Sequence, residues 1–287
     1  MQLHSKDLAF CWEKVLISDP WFRLKYAFAP KGIRNQLLGV HALFAMIDQS
    51  LSKSDEKIVM AQLSWWQSEL IPECAAVSNH PVIRVMRESG ATSHLHPNFG
   101  ESLIGQALYQ LSTPLISRTE DLKSACNTIG HARMSVLSSI SSECLGGLTL
   151  RAECQGSGFC CLLRSAIASG STELWFVPLE MQAKYSCSSQ EMFDSNAQSV
   201  EIWSALSDLA VSWFDRQLVN LAKELSGEES VPKGARYLLA TTLVERLWTM
   251  RSLETMPESP LGRSVQWGVG EFLGVWRKCR KLLRMFS

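Results

Sequence analysis

Ile33-Arg34-Asn35-Gln36-Leu37-Leu38-Gly39-Val40-His41-Ala42-Leu43-Phe44-Ala45-Met46-Ile47-Asp48-Gln49-Ser50-Leu51 is the stretch on which the reading of this chain turns. Its apolar residues recur at helical spacing on more than one face, the pattern of a helix at the centre of a core rather than on a surface. The uncharged run inside it, Leu37 to Ile47, has eleven residues and includes His41. A membrane-spanning helix needs ~20 apolar residues. The stretch is therefore read as a buried core helix.

Working outward, helical patterns dominate. Asp55 to Leu70 carries Ile58, Val59, Leu63, Trp66 and Leu70 at helical spacing, with Ser54 as a candidate cap and Pro72 just beyond. Further helices are expected at Pro81–Glu88, Phe99–Leu111, Glu120–Ser142, Ala152–Ala168, Ala197–Leu225, Lys233–Leu253 and Leu261–Leu283. Ser117 or Thr119 would cap the Glu120 segment. Turn compositions such as Pro30-Lys31-Gly32, Ser89-Gly90 and His96-Pro97-Asn98 separate them. Period-two patterns are scarce, and the short candidate Leu174–Val177 is read as an extended loop. No repeat and no long linker is visible, so the expectation is one all-α domain over residues 1–287.

Composition narrows the function classes. The 287 residues hold 28 Lys+Arg and 28 Asp+Glu, and 46% are hydrophobic. Such a chain can bury a sizeable core and is not disordered. Without a basic surplus, nucleic acid is not an expected partner. The nine cysteines are irregularly spaced and form no CxxC pair, so a zinc ribbon is excluded. The start Met1-Gln2-Leu3-His4-Ser5-Lys6-Asp7 has no signal-peptide core. The cysteines are read as reduced packing residues of a cytoplasmic protein, the adjacent Cys160-Cys161 included.

Several segments, in order, resemble the squalene/phytoene synthase family. Asp19 to Pro30 looks like its SFYxAxxLLP segment, with Phe22 and Pro30 retained. Val40 to Ser52 resembles LYAFCRxxDDxxD, and Trp65-Trp66-Gln67-Ser68-Glu69-Leu70 with His80-Pro81-Val82 resembles WxxEL…HPV. Gly158 to Ser169 sits where QLTNILRDxxxD belongs, and Leu174 to Glu180 looks like RxYLPxE. The resemblance implies an isoprenoid-synthase-like helical bundle with a central cavity. It implies an ancestry of head-to-head prenyl diphosphate coupling, in which two DxxxD motifs on facing helices hold Mg²⁺ against a departing diphosphate.

The chain departs from that pattern at the metal. Asp48 remains, but Gln49 and Ser52 replace carboxylates of the first motif, and Ser165 and Ser169 replace both of the second. The motif's arginine and tyrosine are Ala45 and His41, and the amides before the second motif are Gly158 and Cys161. In the YCxxxAGxxG helix, Ala125 stands for tyrosine beside a retained Cys126, and Met134 stands for a glycine. Losing the Mg²⁺ clamp removes on the order of several kcal/mol of transition-state stabilisation. No Mg²⁺ or other cofactor is therefore expected.

Arg164 and Asp48 are the candidate substrate-binding residues: Arg164 as a diphosphate-binding guanidinium or a helix-surface cation, Asp48 as a remnant of the phosphate site or the partner of an internal arginine. His41 and His80 are read as core or capping residues, His94 and His96 as loop residues. Gly156-Ser157-Gly158 lacks the lysine of a phosphate loop.

Residues 275–286 hold five bases and no acid among Trp276, Leu282, Leu283, Met285 and Phe286. That pattern suits either an anionic membrane surface or a solvated helix end. Two functions stay open. One is a lipid- or isoprenoid-binding or assembly protein without Mg²⁺-dependent coupling, cytoplasmic and membrane-peripheral. The other is an active prenyltransferase on farnesyl or geranylgeranyl diphosphate.

Overall fold

The computed structural model of the chain describes residues 4–53, 55–112, 115–141, 154–169, 176–188, 190–193, 197–225 and 232–255, with Gly274, Arg277 and Lys281. Among these residues there are twelve α-helices and no strand. They are α1 Ser5–Ser18, α2 Phe22–Phe28, α3 Arg34–Leu51, α4 Glu56–Glu69, α5 Pro72–Val77, α6 Pro81–Glu88, α7 Phe99–Ser112, α8 Thr119–Ser141, α9 Gln155–Ser169, α10 Leu179–Lys184, α11 Ala197–Leu225 and α12 Lys233–Thr255. The all-α expectation holds. Most of the expected Leu261–Leu283 helix and of the 275–286 segment lies outside the described residues. Of that region Gly274, Arg277 and Lys281 are helical, and Arg277 and Lys281 are exposed.

Local chemistry explains several boundaries. Asp55 rather than Ser54 caps α4, accepting the Lys57 N–H at 2.9 Å. His80 caps α6 through Nδ1, which accepts the Val82 N–H at 3.3 Å, and Pro81 takes the first turn. Pro72 does more than end α4. It opens the short helix α5, because a proline at the first helical position gives up an N–H that has no intrahelical partner. Three carbonyls at the end of α5, of Ala75, Ala76 and Ser78, converge on Arg87 Nη1 at 3.0–3.1 Å.

Two apolar clusters form the core. One is built on α1, α3, α4, α6 and α7, and the other on α2, α9 and α11. Helices α8 and α12 belong to both. The first half of α8, with Leu122, Cys126 and Ile129, joins the second cluster, and Ala132, Val136, Leu137 and Ile140 join the first. In α12 the order reverses: Tyr237 to Ala240 join the first cluster, and Leu243, Val244 and Trp248 the second. The two helices thus pass the clusters in opposite senses. The place where each changes cluster is also where its buried charged residue sits, Arg133 on α8 and Glu245 on α12.

The crossing of α8 and α9 is exceptionally close, and glycines make it so. A Cβ at Gly158 would collide with the Cys126 carbonyl oxygen, and one at Gly130 with that of Cys154. The Gly156-Ser157-Gly158 run is thus part of a helix crossing and leaves Ser157 between the two glycines, facing inward and buried. Seven described cysteines are free thiols, and six of them are buried.

Candidate functional site

A central cavity of about 30 Å³ lies where the two clusters meet. Helical spacing decides who reaches it. On α3 the lining residues His41, Ala45 and Asp48 stand at i, i+4 and i+7, and on α9 Ser157, Cys161 and Arg164 repeat that spacing. Helix α8 adds Arg133, Met134 and Leu137, α12 adds Glu245, and the link between α1 and α2 adds Asp19. Of the residues singled out in the sequence, Arg164 and Asp48 reach the cavity, whereas Gln49, Ser52 and Ser165 do not line it. Gln49 is exposed, and Ser52 turns back to donate to the Gln49 carbonyl at 2.9 Å. The Ser169 side chain lies outside the described residues.

Arg164 and Asp48 face the same cavity with different partners. Asp48 takes Arg133 in a two-pronged ion pair, one arm being Nη1 to Oδ2 at 3.0 Å. Arg164 Nη2 lies 3.0 Å from Asp19 Oδ1, and its guanidinium covers the Trp248 ring at 4.9 Å. Arg164 is therefore a largely covered cation on the inner face of α9 and not a surface one.

Asp19 joins a second cation. Its Oδ2 is 2.8 Å from Lys25 Nζ, and the same ammonium donates to Glu245 Oε1 at 2.9 Å. Ser157 Oγ donates to Glu245 Oε2 at 2.7 Å and in turn accepts from Gln217 Nε2 at 3.0 Å. Lys25 has no exposed surface at all. Three cations, Lys25, Arg133 and Arg164, thus match three carboxylates, Asp19, Asp48 and Glu245, and each of the six carboxylate oxygens has a cation or donor beside it.

The protonation states follow from these contacts. Burial alone would raise the Asp19 carboxyl, but Arg164 and Lys25 hold it down to about 2. Burial alone would discharge Lys25, and Asp19 and Glu245 override it, so its pKa is raised. Burial likewise disfavours charge on Arg133, and Asp48 restores it, raising the pKa. His41 is pushed well below its ordinary range, first by burial and then by Lys25, so it is neutral. Its Nε2 lies 2.7 Å from the Tyr237 hydroxyl. Burial pushes the Cys161 thiol up to about 11 and the Cys160 thiol up to about 12, so neither is a nucleophilic thiolate near neutral pH.

This arrangement does not suit the Mg²⁺ implied by the resemblance. Mg²⁺ is held by carboxylate oxygens free to turn toward it. Here each such oxygen already faces an ammonium, a guanidinium or a hydroxyl, and α9 offers serine where a carboxylate is needed. Among the described residues no three His, Cys, Asp or Glu side chains group as metal ligands.

Lys25, Asp19, Arg133 and Glu245 were not singled out from sequence. A signal for three of them existed. Arg133 falls on the stripe Cys126, Ile129, Arg133, Leu137, Ile140, and Glu245 on Leu238, Thr242, Glu245, Trp248, Ser252. Lys25 lies between Phe22 and Phe28 at helical spacing. A charge in an apolar register position must be buried with a partner.

The architecture is that of the squalene/phytoene synthases. A dehydrosqualene synthase crystallised with a ligand has a TM-score of 0.67 to this chain at 13% identity, over 98% of this chain and 97% of that one. Squalene synthase HpnC from Alicyclobacillus acidocaldarius has a TM-score of 0.59 at 17% identity, over 89% of this chain and 95% of its own. No protein-family model matches the sequence, and no curated protein matches it by sequence alone. At these identities the likeness establishes the isoprenoid-synthase fold.

Proposed function

We propose that this protein is a divergent member of the squalene/phytoene synthase family that does not carry out Mg²⁺-dependent head-to-head coupling and acts as a lipid- or isoprenoid-associated binding or assembly protein. One observation carries the reading: each of the six carboxylate oxygens at the cavity lies beside one of the protein's own cations or hydroxyls. A prenyl diphosphate brings several negative charges. To enter, it would have to strip Asp19, Asp48 and Glu245 of their cations and leave buried carboxylates beside itself.

The lipid side of the proposal rests on residues 275–286. Their bases and large apolar side chains alternate, and the described Arg277 and Lys281 are helical and exposed. An anionic bilayer surface is the matching partner. Among the described residues no helix is long and apolar enough to cross a membrane.

A transferase reading retains one specific support, the two guanidiniums of Arg133 and Arg164 at the cavity of a synthase fold. Diphosphate release separates the two. The purified protein is given farnesyl or geranylgeranyl diphosphate with and without Mg²⁺, and the organic phase is analysed for coupled products. The expected result is no release beside an active synthase control, together with sedimentation on phosphatidylserine vesicles that weakens in Arg277→Glu/Lys281→Glu. Release with a coupled hydrocarbon overturns the proposal.

A further inference from the structure

We infer that Lys25 is the resident counter-cation of this site: its ammonium holds the position between Asp19 and Glu245 that a hard metal ion would otherwise take, and its removal opens a divalent-cation site there.

The geometry is specific. Asp19 precedes α2, Lys25 lies within it, and Glu245 comes from α12, far along the chain, yet Nζ stands 2.8 Å from one carboxylate and 2.9 Å from the other. Two carboxylates converging on one point in a buried place repel each other unless a cation sits between them. Metal proteins solve this with Mg²⁺ or Mn²⁺. Here the cation is covalently part of the chain, so the site is neutralised at any metal concentration.

The outer oxygens are supported independently. Asp19 Oδ1 accepts the Trp21 N–H and lies 3.0 Å from Arg164 Nη2, and Glu245 Oε2 accepts from Ser157, with Gln217 behind the serine. Removing the lysine side chain therefore leaves both carboxylates aimed at the vacated space. Two carboxylate oxygens with water completing the shell are a hard-cation donor set.

The test uses the full-length protein and Mn²⁺ alone, read by loss of the free-ion paramagnetic signal and by thermal unfolding. In Lys25→Ala, Mn²⁺ in the millimolar range is expected to bind and to raise the Tm by several degrees at about a hundredfold excess over its dissociation constant. Neither effect is expected in the wild type, and adding Asp19→Asn to the variant abolishes both. A folded Lys25→Ala that ignores Mn²⁺ overturns the inference. So does a wild type whose Mn²⁺ binding is lost in Asp19→Asn, because the lysine would not then be filling the position.

Should Lys25→Ala fail to fold, Lys25→Ala/Glu245→Gln decides. Recovery of folding supports the pairing of the ammonium with the two carboxylates, and no recovery overturns it. These results do not depend on what the protein binds. If the inference fails, the non-catalytic reading still stands or falls on diphosphate release alone.

Discussion

The cavity joins two ways of burying charge. On one side Asp48 and Arg133 form a simple two-residue pair between α3 and α8, each about a tenth exposed to water. On the other side Lys25 is closed off completely and ties Asp19, Glu245, Arg164, Ser157 and Gln217 into one network across α2, α9, α11 and α12. A pair has only one partner to lose, and replacing both members by apolar residues of similar size leaves nothing stranded. A network has no such exit, because deleting one member leaves several groups buried and unmatched. The comparison teaches that the same net charge, zero on both sides, can be locally dispensable or structurally binding.

The sharpest way to break the comparison is Lys25→Met. It keeps most of the volume and strands Asp19 and Glu245, so unfolding by urea should show a loss of about 3–5 kcal/mol. A loss below about 1 kcal/mol would mean that the network is no more binding than the pair.

Asp48→Asn should cost less, about 2–3 kcal/mol, since both members of the pair keep some exposure to water. The informative variant is Asp48→Leu/Arg133→Met, whose stability should return to within about 1 kcal/mol of the wild type. A double variant as unstable as the single one would give the pair the character assigned to the network.

Acid should separate the two sides more gently. The Asp19 carboxyl sits at about 2 in the folded chain against an ordinary 3.8. The unfolded chain therefore takes up the proton first. The stabilisation is complete above pH 3.8 and fades as the pH falls toward 2, a loss of about 2 kcal/mol. His41 acts in the same direction at higher pH. Its folded pKa lies well below 6.5, so its contribution is present above 6.5 and declines as the solution is acidified below that value. Denaturation at stepped pH should show Asp19→Asn flattening the lower part of the slope and His41→Asn the upper part.

The smallest effect belongs to His80, away from the cavity, which caps α6 and meets Trp65, Trp66 and Phe10 edge-on. His80→Ala should cost about 1 kcal/mol by denaturation and leave every cavity measurement unchanged.

Much of the helical layout was legible in the chain itself. Pro81–Glu88 and Ala197–Leu225 have the bounds that periodicity and turn residues predict, and the central Ile33–Leu51 stretch becomes α3 from Arg34. Helices α1, α2, α5 and α10 were not legible as such. Helices α2, α5 and α10 have six or seven residues, too few for local preference to stabilise, and they exist because the tertiary packing holds them. Helix α1 is longer but buries only Asp7, Cys11 and Val15, a narrow stripe that includes a charge and blurs the apolar pattern.

The candidate site divides in the same way. That Gln49, Ser52, Ser165 and Ser169 stand where the resemblance sets the DxxxD carboxylates needs no coordinates, because it is a matter of which side chains are present. Periodicity put Asp48 in an apolar helix but left Arg164 open between an inward and a surface position, and the packing turned both to the cavity. What periodicity cannot supply is the partner. Asp48 could have faced Arg164 across the cavity, and the packing gave it Arg133 instead, while Lys25 met a carboxylate 220 residues away. Ion pairing depends on three-dimensional distance between remote segments, which local periodicity does not encode. The sequence alone therefore determined an all-helical chain and which side chains stand at the positions of the resemblance's metal motifs. Only the tertiary structure decided that the site's charges cancel one another, because cancellation belongs to pairs and not to residues.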